Sequence, residues 1–301
     1  MPKLMKLKFK DQKFQENACN SVCDVFAGQP KQSGVSYMID KGVGKAGEFD
    51  WDDFTGYKNA KIVLDDKIIL QNMRLIQNRN NIKPSELLEG KYNITVEMET
   101  GTGKTYTYIK TIYELNKRYG WSKFIVIVPS IAIREGVAKS FEIMKDHFML
   151  SYGQQIKWFI YNSSRLNEIE HFASDSGINV IIINSQAFNA TGKDARKIDQ
   201  PLDEFRSRKP IDVIAKTNPI LIIDEPQSVE GAKTVEGLKK FNALFTLRYS
   251  ATHKKAYNMV YRLDAVDAYN QKLVKKIEVK GISVSGITGT NGYLYLQRIN
   301  V

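Results

Sequence analysis

NITVEMETGTGKT, residues Asn93–Thr105, is the most informative stretch of this sequence. A short apolar strand runs into a glycine-rich turn and then into a helix. Gly101 and Gly103 let the backbone turn so that its N–H groups face an anion, and the dipole of the following helix adds to that attraction. Lys104 would bring a positive charge to the β- and γ-phosphates of a nucleotide, and Thr105 would offer a hydroxyl to Mg²⁺. The stretch therefore predicts a nucleotide-binding P-loop.

The match to the P-loop pattern is incomplete. Met98 stands where the full pattern has its first glycine. A glycine-rich turn that only joins a strand to a helix is therefore the alternative. Features further along the chain favour the nucleotide site.

Composition sets the size and the class of the protein. The chain has 301 residues, of which 43% are hydrophobic and 11% aromatic, enough for one large domain or two modest ones. Its formal net charge is +11 and its pI is about 9.3, which favours a polyanionic partner, nucleic acid first. A basic surface that is merely solvated is the alternative.

Two further properties exclude other classes of protein. Cys19 and Cys23 stand four apart in a helical pattern, as small apolar residues would, so neither a disulfide framework nor a zinc site is indicated. No apolar run has the length of a signal peptide or of a membrane span. We therefore expect a cytoplasmic protein with no membrane partner.

The region before the P-loop gives weaker signals. A helix is predicted over Lys10–Ala27, and the glycine-rich residues 31–60 are expected to form a mobile or peripheral loop. The pattern then indicates a strand over Ile62–Leu70, a helical stretch over Gln71–Arg79 and a helix start at Pro84–Glu86.

From Asn93 onward, apolar strands alternate with amphipathic helices. The sequence predicts strands at 93–98, 124–128, 156–161, 180–184 and 220–223, and helices at 104–118 and 131–147. This alternation is typical of an α/β fold, a mostly parallel sheet with helices on both faces. Ligands of such sheets bind beyond the carboxyl ends of the strands, so the residues after each strand carry the most weight.

One strand ends in two acids. The run Pro219–Gln227, PILIIDEPQ, places Asp224 and Glu225 directly after four aliphatic residues. Asp224 would hold Mg²⁺ through water, and Glu225 would polarise an attacking water. An apolar strand seldom ends in two charges without a ligand, although a solvated turn before Pro226 is the alternative.

Hydroxyl groups follow two other strands. Ser130 begins a helix after Val128 and Pro129, where its hydroxyl and the backbone N–H groups suit a phosphodiester. Ser250 and Thr252 follow a short strand in the run Arg248–His253. A serine or threonine at a turn is more often only a cap.

Together these motifs resemble those of a known protein family. GTGKT at 101–105, DEPQ at 224–227 and SAT at 250–252 resemble motifs I, II and III of superfamily 2 helicases and translocases. Four longer motifs are similar to motifs of the restriction subunit of type III restriction–modification enzymes. They are EMETGTGKT at 97–105, VPSIAIREG at 128–136, NSQAF at 184–188 and LRYSATHK at 247–254. Type I restriction subunits share several of these motifs.

The resemblance implies a P-loop RecA-like lobe that binds ATP and Mg²⁺ and tracks along double-stranded DNA. Phe14-Gln15 resembles the glutamine motif that reads adenine. The implied roles are ATP binding by Gln15, Thr100, Gly101, Thr102, Gly103, Lys104 and Thr105; Mg²⁺ binding by Thr105 and Asp224; catalysis by Lys104, Asp224, Glu225 and Gln227, with Gln227 sensing the γ-phosphate; and DNA contact or coupling by Ser130, Arg134, Gln186, Ser250 and Thr252. Arg134 could equally be a helix-surface charge.

The resemblance also implies parts that this sequence does not supply. The stretch after Thr252 is too short for a second RecA-like lobe, which needs on the order of a hundred residues or more. That lobe would bring the catalytic arginines, and no nuclease constellation follows either. We therefore expect the amino-terminal part of a larger enzyme, acting beside a methylation subunit that reads the DNA sequence.

The expected organisation has three parts. Residues 1–92 form an N-terminal extension, 93–262 the ATP-binding lobe, and 263–301 a linker and helix followed by a β-hairpin around Asn291-Gly292. Two functions remain open for the chain: an ATP-driven motor lobe in restriction of foreign DNA, or a nucleotide- and DNA-binding module without turnover.

Overall fold

The computed structural model describes residues 9–40, 42, 55–90, 92–189, 197–229 and 231–275. Its strands are β1 Val35–Met38, β2 Thr55–Lys58, β3 Asn93–Met98, β4 Lys123–Val128, β5 Lys157–Ile160, β6 Asn179–Asn184, β7 Ile220–Asp224, β8 Thr246–Ser250 and β9 Met259–Leu263. Its α-helices are α1 Lys13–Asp24, α2 Asp66–Arg79, α3 Lys104–Tyr119, α4 Ile131–Tyr152, α5 Asn167–Ser174, α6 Gln186–Asn189, α7 Pro210–Lys216, α8 Ala232–Lys239 and α9 Ala265–Asn270.

The centre of the molecule is a seven-stranded sheet in the order β5-β6-β4-β7-β8-β3-β9. Each neighbouring pair in this order is parallel. All six residues of β4 and all five of β7 are buried, as expected for inner strands whose two faces are both covered. The α/β fold with helices on both faces is confirmed.

Alternate residues of β4 enter two separate hydrophobic cores. Phe124 and Val126 belong to the larger core, which also contains buried residues of α1, α3 and α4. Ile125 and Ile127 belong to the second core, which contains buried residues of α5 and α7. The alternation follows from the two-residue period of a strand and fixes which helices cover which face.

Helices α1 and α2 cover the β9 edge of the sheet. Helix α1 contributes Ala18, Val22 and other residues to the larger core. From α2, Gln77 Nε2 donates to the Met259 carbonyl oxygen at 2.8 Å, and Asn80 Nδ2 donates to the Val260 carbonyl oxygen at 2.6 Å. These side chains satisfy backbone acceptors that an open sheet edge would leave unpaired.

Two predictions for the region before the P-loop are wrong. The strand predicted over Ile62–Leu70 is a loop followed by α2, because the Asp65 side chain caps that helix by accepting a hydrogen bond from Lys67 N at 2.8 Å. Its apolar residues Ile69, Met73 and Ile76 have helical spacing and face the core. The helix start predicted at Pro84–Glu86 is absent, since residues 82–89 form an irregular connection.

Residues 31–60 are not simply a loop. Strands β1 and β2 pair in antiparallel fashion within this region. Just after β2, the buried side chain of Asn59 donates to the carbonyl oxygens of Lys123 at 2.8 Å and Asn218 at 2.9 Å. Its Oδ1 accepts from the N–H groups of Ser122 and Lys123. Asn59 thereby ties the segment to the starts of β4 and β7.

The end of the described chain differs in part from expectation. Strand β9 was not predicted, and it extends the sheet beyond β3. A helix does occur in the stretch expected to form a linker and helix, with Asp264 as its cap. The hairpin predicted around Asn291-Gly292 lies outside the described residues. Within the described residues, no helix combines the length and apolar character needed to cross a membrane.

Lys123, the first residue of β4, is a fully buried cation. Its ammonium donates to the carbonyl oxygens of Phe172 at 2.5 Å and of Asp175 at the end of α5. Burial lowers the pKa of Lys123 to about 7, although the charge of Asp175 opposes this shift. The group thus loses its proton far more readily in the folded chain than in the unfolded chain.

This shift makes stability depend on pH. Because the folded pKa is about 7 and the ordinary value is 10.5, the unfolded chain binds more protons between these limits, and the stability contributed by Lys123 rises with pH. We predict that, between about pH 7 and pH 9, the free energy of unfolding increases by roughly 2 kcal/mol more in the natural protein than in Lys123→Met.

Urea unfolding at both pH values measures this difference, with Lys139→Met on the exposed face of α4 as the control. An equal pH dependence in the natural protein and in Lys123→Met would contradict the prediction.

Candidate functional site

The sheet order brings three of the predicted strand ends together. Strand β8 lies between β3, which leads into the P-loop, and β7, which ends at Asp224. Because the strands are parallel, the P-loop, the acidic pair and Ser250 all lie at one edge of the sheet. The ends of β4 and β6, which carry Ser130 and Gln186, follow on the far side of β7.

The P-loop is an open turn between β3 and α3. Gly101 and Gly103 have φ values of 81° and 86°, in the left-handed region that favours glycine. A Cβ atom built on Gly101 would meet nothing within 4 Å, so the loop faces open space. Helix α3 begins at Lys104, with its first N–H groups turned toward that space. Such an opening fits a phosphate group.

Hydrogen bonds to Glu99 stabilise the turn of the P-loop. Thr102 donates through its hydroxyl to the Glu99 carbonyl oxygen at 2.6 Å. Thr100 is exposed at the start of the turn, and its N–H group donates to Glu99 Oε1 at 2.8 Å. Thr105, the second residue of α3, is half-buried.

Lys104 forms an ion pair with Glu225, which follows β7 two strands away in the sheet. Its Nζ lies 3.2 Å from Glu225 Oε1 and 3.4 Å from the Met98 carbonyl oxygen. The Lys104 side chain is only 11% exposed, so this charge is held close to the turn. A phosphate entering the loop would meet a lysine that is already positioned beside it.

Asp224 is a buried carboxyl group with an altered pKa. Burial, and then the charge of Glu225, raise its pKa to about 6, while Lys104 acts in the opposite direction. A divalent cation would favour the ionised form of such a carboxylate. Asp224 and the Thr105 hydroxyl are oxygen donors of the kind Mg²⁺ prefers, so these residues fit the ion.

Glu225 is the centre of a hydrogen-bond network. Its backbone has a φ of 53°, and its Oε2 lies 2.5 Å from Ser250 Oγ and 2.7 Å from Gln227 Nε2. Ser250 Oγ also lies 2.9 Å from Gln227 Oε1 and accepts from the Thr252 N–H group at 3.2 Å. Burial opposes ionisation of Glu225, but hydrogen bonds from Ser250 and Gln227 and the charge of Lys104 outweigh it and lower its pKa.

Gln15 lies against the P-loop although it is far away in sequence. Its Nε2 donates to the Thr102 carbonyl oxygen at 2.9 Å. A Cβ atom on Gly103 would lie 2.5 Å from that same Nε2. The positive φ of residue 103 favours glycine, and any larger residue there would also displace the Gln15 amide.

Of the residues expected to contact DNA or couple to it, Ser250 and Thr252 belong to this network, whereas Ser130, Arg134 and Gln186 have no hydrogen bond to it among the described residues. The Ser130 hydroxyl accepts from Ile133 N at 3.3 Å and so caps α4. Arg134, in the first turn of α4, pairs with Glu135 at 2.8 Å, and Gln186 is exposed at the start of α6.

Two residues that sequence reasoning did not assign lie beside the site. His253 Nε2 is 3.4 Å from the Val96 carbonyl oxygen, and burial lowers the pKa of His253. Tyr108 is fully buried in α3, and burial followed by the charge of Asp224 raises its pKa. The i+4 spacing of Tyr108 from Lys104 was a usable signal, because it places Tyr108 one turn below the P-loop.

Comparisons with known proteins identify the family of the chain. The model of the family described as "Type III restriction enzyme, res subunit" matches residues 8–255. The chain is 37% identical over 240 residues to the Res subunit of the type III restriction-modification enzyme EcoP15I of Escherichia coli, with 73% of this chain and 25% of that protein covered. It is 36% identical over 248 residues to the EcoPI Res subunit of Escherichia phage P1, with the same shares covered.

A solved structure of a nuclease-deletion mutant of the Type ISP restriction-modification enzyme LlaGI, in complex with a DNA substrate mimic, has a TM-score of 0.42 and 12% identity. The structural match covers 68% of this chain and 18% of the LlaGI chain. The chain spans about a quarter of the length of the two Res subunits. On the family match and on these identities, the chain belongs to the Res subunit family of type III restriction enzymes.

Proposed function

We propose that this chain is an ATP-binding lobe whose nucleotide cycle drives movement along DNA during restriction of foreign DNA. The observation that carries the proposal is the network Lys104–Glu225–Gln227–Ser250, which links the ends of three neighbouring strands beside an open P-loop. An arrangement that joins a lysine of the P-loop to an ionised carboxylate suits phosphoryl transfer to water.

Each residue of the site has a role that follows from its position. The backbone N–H groups of residues 101–105 and the Lys104 ammonium would bind the phosphates, while Thr105 and Asp224 would hold Mg²⁺. Bound Mg²⁺ supplies positive charge that offsets the charge of the phosphate oxygens. Glu225, whose pKa is lowered, is ionised at neutral pH and accepts a proton from the attacking water.

Gln227 and Ser250 connect the reaction to the rest of the lobe. Both contact Glu225 Oε2, and Ser250 also accepts a hydrogen bond from the Thr252 backbone. A change at the γ-phosphate that shifts Gln227 would therefore reach the segment after β8. We propose that Gln15 contacts adenine and that Ser130, Arg134 and Gln186 contact the DNA backbone.

The remaining components are proposed from the family. Double-stranded DNA is the polyanionic partner that the net charge of +11 favours, and a methylation subunit would read its sequence. The catalytic arginines and the nuclease belong to a second lobe and a further domain, and the complex acts in the cytoplasm. The alternative function, nucleotide and DNA binding without turnover, differs from this proposal only in catalysis.

One prediction from the proposed function concerns Lys104. Replacing it with alanine removes the positive charge nearest the P-loop, so we expect ATP affinity to fall at least about a hundredfold and turnover to be lost. Equilibrium binding of ATP with Mg²⁺ and phosphate release with and without duplex DNA measure the two effects.

Lys117→Ala is the matched control, because Lys117 lies on the same helix and is 68% exposed. ATP binding that survives Lys104→Ala at its original strength would contradict the assignment of the P-loop. DNA-stimulated hydrolysis by the natural chain that depends on Lys104 would exclude the binding-only alternative.

Another prediction from the proposed function concerns DNA. If Arg134 contacts a phosphate, Arg134→Ala weakens binding to all duplex sequences alike and reduces the slope of log affinity against log salt by about 1. Titration of a labelled duplex at several salt concentrations gives both quantities.

Arg165→Ala provides the comparison, since Arg165 is also paired with a nearby glutamate, Glu168, at 3.9 Å and lies just before α5. An unchanged slope for Arg134→Ala would remove Arg134 from the DNA contact. A flat salt response of the natural protein would contradict the electrostatic argument for DNA as a whole.

A further inference from the structure

A polar cluster that the proposed function does not use joins three parts of the chain beside the P-loop. It consists of Asp11 before α1, Tyr106 and Lys110 in the first two turns of α3, and His147 near the end of α4. The Tyr106 hydroxyl lies 3.2 Å from Asp11 Oδ1 and 2.9 Å from His147 Nε2. Lys110 Nζ lies 3.3 Å from the same carboxylate oxygen. We refer to these four residues as the Tyr106 cluster.

The chemistry of the cluster fixes the direction of each hydrogen bond. The charge of Lys110 holds the pKa of Asp11 below its usual range, so the carboxylate is ionised and can only accept. Tyr106 must therefore donate its single proton to Asp11. Its oxygen then accepts from His147, which must carry a proton on Nε2. The three side chains form one directional chain of hydrogen bonds.

Aromatic packing holds the same residues together. The Phe9 ring stacks on Tyr106 with a centroid distance of 6.1 Å and lies 5.3 Å from the His147 ring. Phe148, next to His147, lies 5.1 Å from Tyr106. The segment before α1 is thus held against both α3 and α4 by ring contacts and by charge.

The cluster adjoins the start of α1, the helix that carries Gln15. Asp11 precedes Gln15 by four residues, just before α1, and Tyr106 follows Lys104 by two residues. Gln15 Nε2 donates to the Thr102 carbonyl oxygen, so α1 is attached to the P-loop region at two neighbouring points. The contact of Asp11 with α3 is therefore one of the contacts that hold the start of α1, close to Gln15, against α3.

We propose that Tyr106, Asp11 and His147 are positioning residues that hold the Gln15 amide for the base of the nucleotide and so set the preference for adenine over guanine. This inference rests on the proposed function, and in particular on base contact by Gln15. It adds a specificity-determining cluster outside the P-loop and outside the glutamine itself.

The hydrogen-bonding groups of the amide give the preference its direction. One Nε2 hydrogen is used by the Thr102 carbonyl, which leaves the other Nε2 hydrogen and Oε1 to face a base. Adenine offers an N6 donor and an N7 acceptor to such an amide, whereas guanine offers acceptors at both O6 and N7. Oε1 would then lie against O6 of guanine without a donor, which disfavours that base.

Phosphate binding depends on other elements. The P-loop backbone and Lys104 belong to the connection from β3 to α3, and they do not contact Asp11 or His147 through any hydrogen bond of the described residues. Loosening the start of α1 should therefore weaken recognition of the base and leave recognition of the phosphates intact. This separation makes the inference testable with three ligands.

The experiment compares Mg²⁺-dependent equilibrium binding of ATP, GTP and inorganic tripolyphosphate to the natural chain and to Tyr106→Phe. Tyr106→Phe keeps the ring and removes the hydroxyl. We expect ATP affinity to fall about fivefold, GTP and tripolyphosphate affinities to change less than about twofold, and the ATP-to-GTP ratio to fall accordingly. Tyr113→Phe is the control, because the Tyr113 hydroxyl accepts from Ile156 N, away from Asp11 and His147.

A second pair of variants tests whether a change in the ATP-to-GTP affinity ratio comes only from a general loss of folding stability. Asp11→Asn should lower the ATP-to-GTP ratio as Tyr106→Phe does. Asp24→Asn should not, although Asp24 forms a similar ion pair between α1 and α3, with Arg118 at 2.9 Å.

Specific outcomes would overturn the inference. An equal loss of ATP and tripolyphosphate affinity, an unchanged ATP-to-GTP ratio in both cluster variants, or the same change in the control variants would each do so. A natural chain that binds ATP and GTP equally would do so as well. A natural chain that binds no nucleotide would instead overturn the proposed function, and this inference with it.

Discussion

The pairing of β8 between β3 and β7 is the constraint on which the site depends. Residues of β8 are in parallel register with β3 from Asn93 to Glu97 and with β7 from Leu221 to Asp224. A parallel sheet places the carboxyl ends of its strands at one edge. Three segments that are distant in sequence therefore meet there as a consequence of strand order. The P-loop follows β3, the acidic pair begins with the last residue of β7, and Ser250 is the last residue of β8.

Electrostatics then separates two adjacent carboxyl groups into different roles. Burial and the neighbouring Glu225 raise the pKa of Asp224 to about 6, whereas hydrogen bonds and Lys104 bring the pKa of Glu225 below its usual range. A carboxyl group with a raised pKa gains most from a cation, and one with a lowered pKa stays ionised as a proton acceptor. These opposite pKa shifts support the proposed assignment of Asp224 to metal binding and of Glu225 to proton acceptance.

Much of this site could be predicted from the sequence because each part has a local signal. Gly101 and Gly103 require a particular backbone, and Asp224 and Glu225 interrupt an apolar run where a strand must end. The strands that carry them are continuous apolar segments, which is typical of the interior of a parallel sheet. The helix of Gln15 was also predicted, although only the fold shows that it reaches Thr102.

The features that were missed depend on contacts between distant residues. The apolar residues between Ile62 and Leu70 suit a strand or a helix equally, and the cap at Asp65 decides between them. Strand β9 exists because β3 offers it a partner and α2 covers its outer edge. Asn59 and the Tyr106 cluster have no sequence pattern at all, since each bonds to segments more than 30 residues away.

The central claim is that Asp224, Glu225 and the P-loop form one site for Mg²⁺ and ATP. The most direct measurement is calorimetric ATP binding, with Mg²⁺ and with a chelator, by the natural chain, Asp224→Asn and Glu225→Gln. The account predicts that Mg²⁺ strengthens binding to the natural chain and to Glu225→Gln, and that Asp224→Asn loses most of this Mg²⁺ effect. Equal dependence on Mg²⁺ in all three proteins would contradict the account, because Asp224 would then have no part in holding the ion.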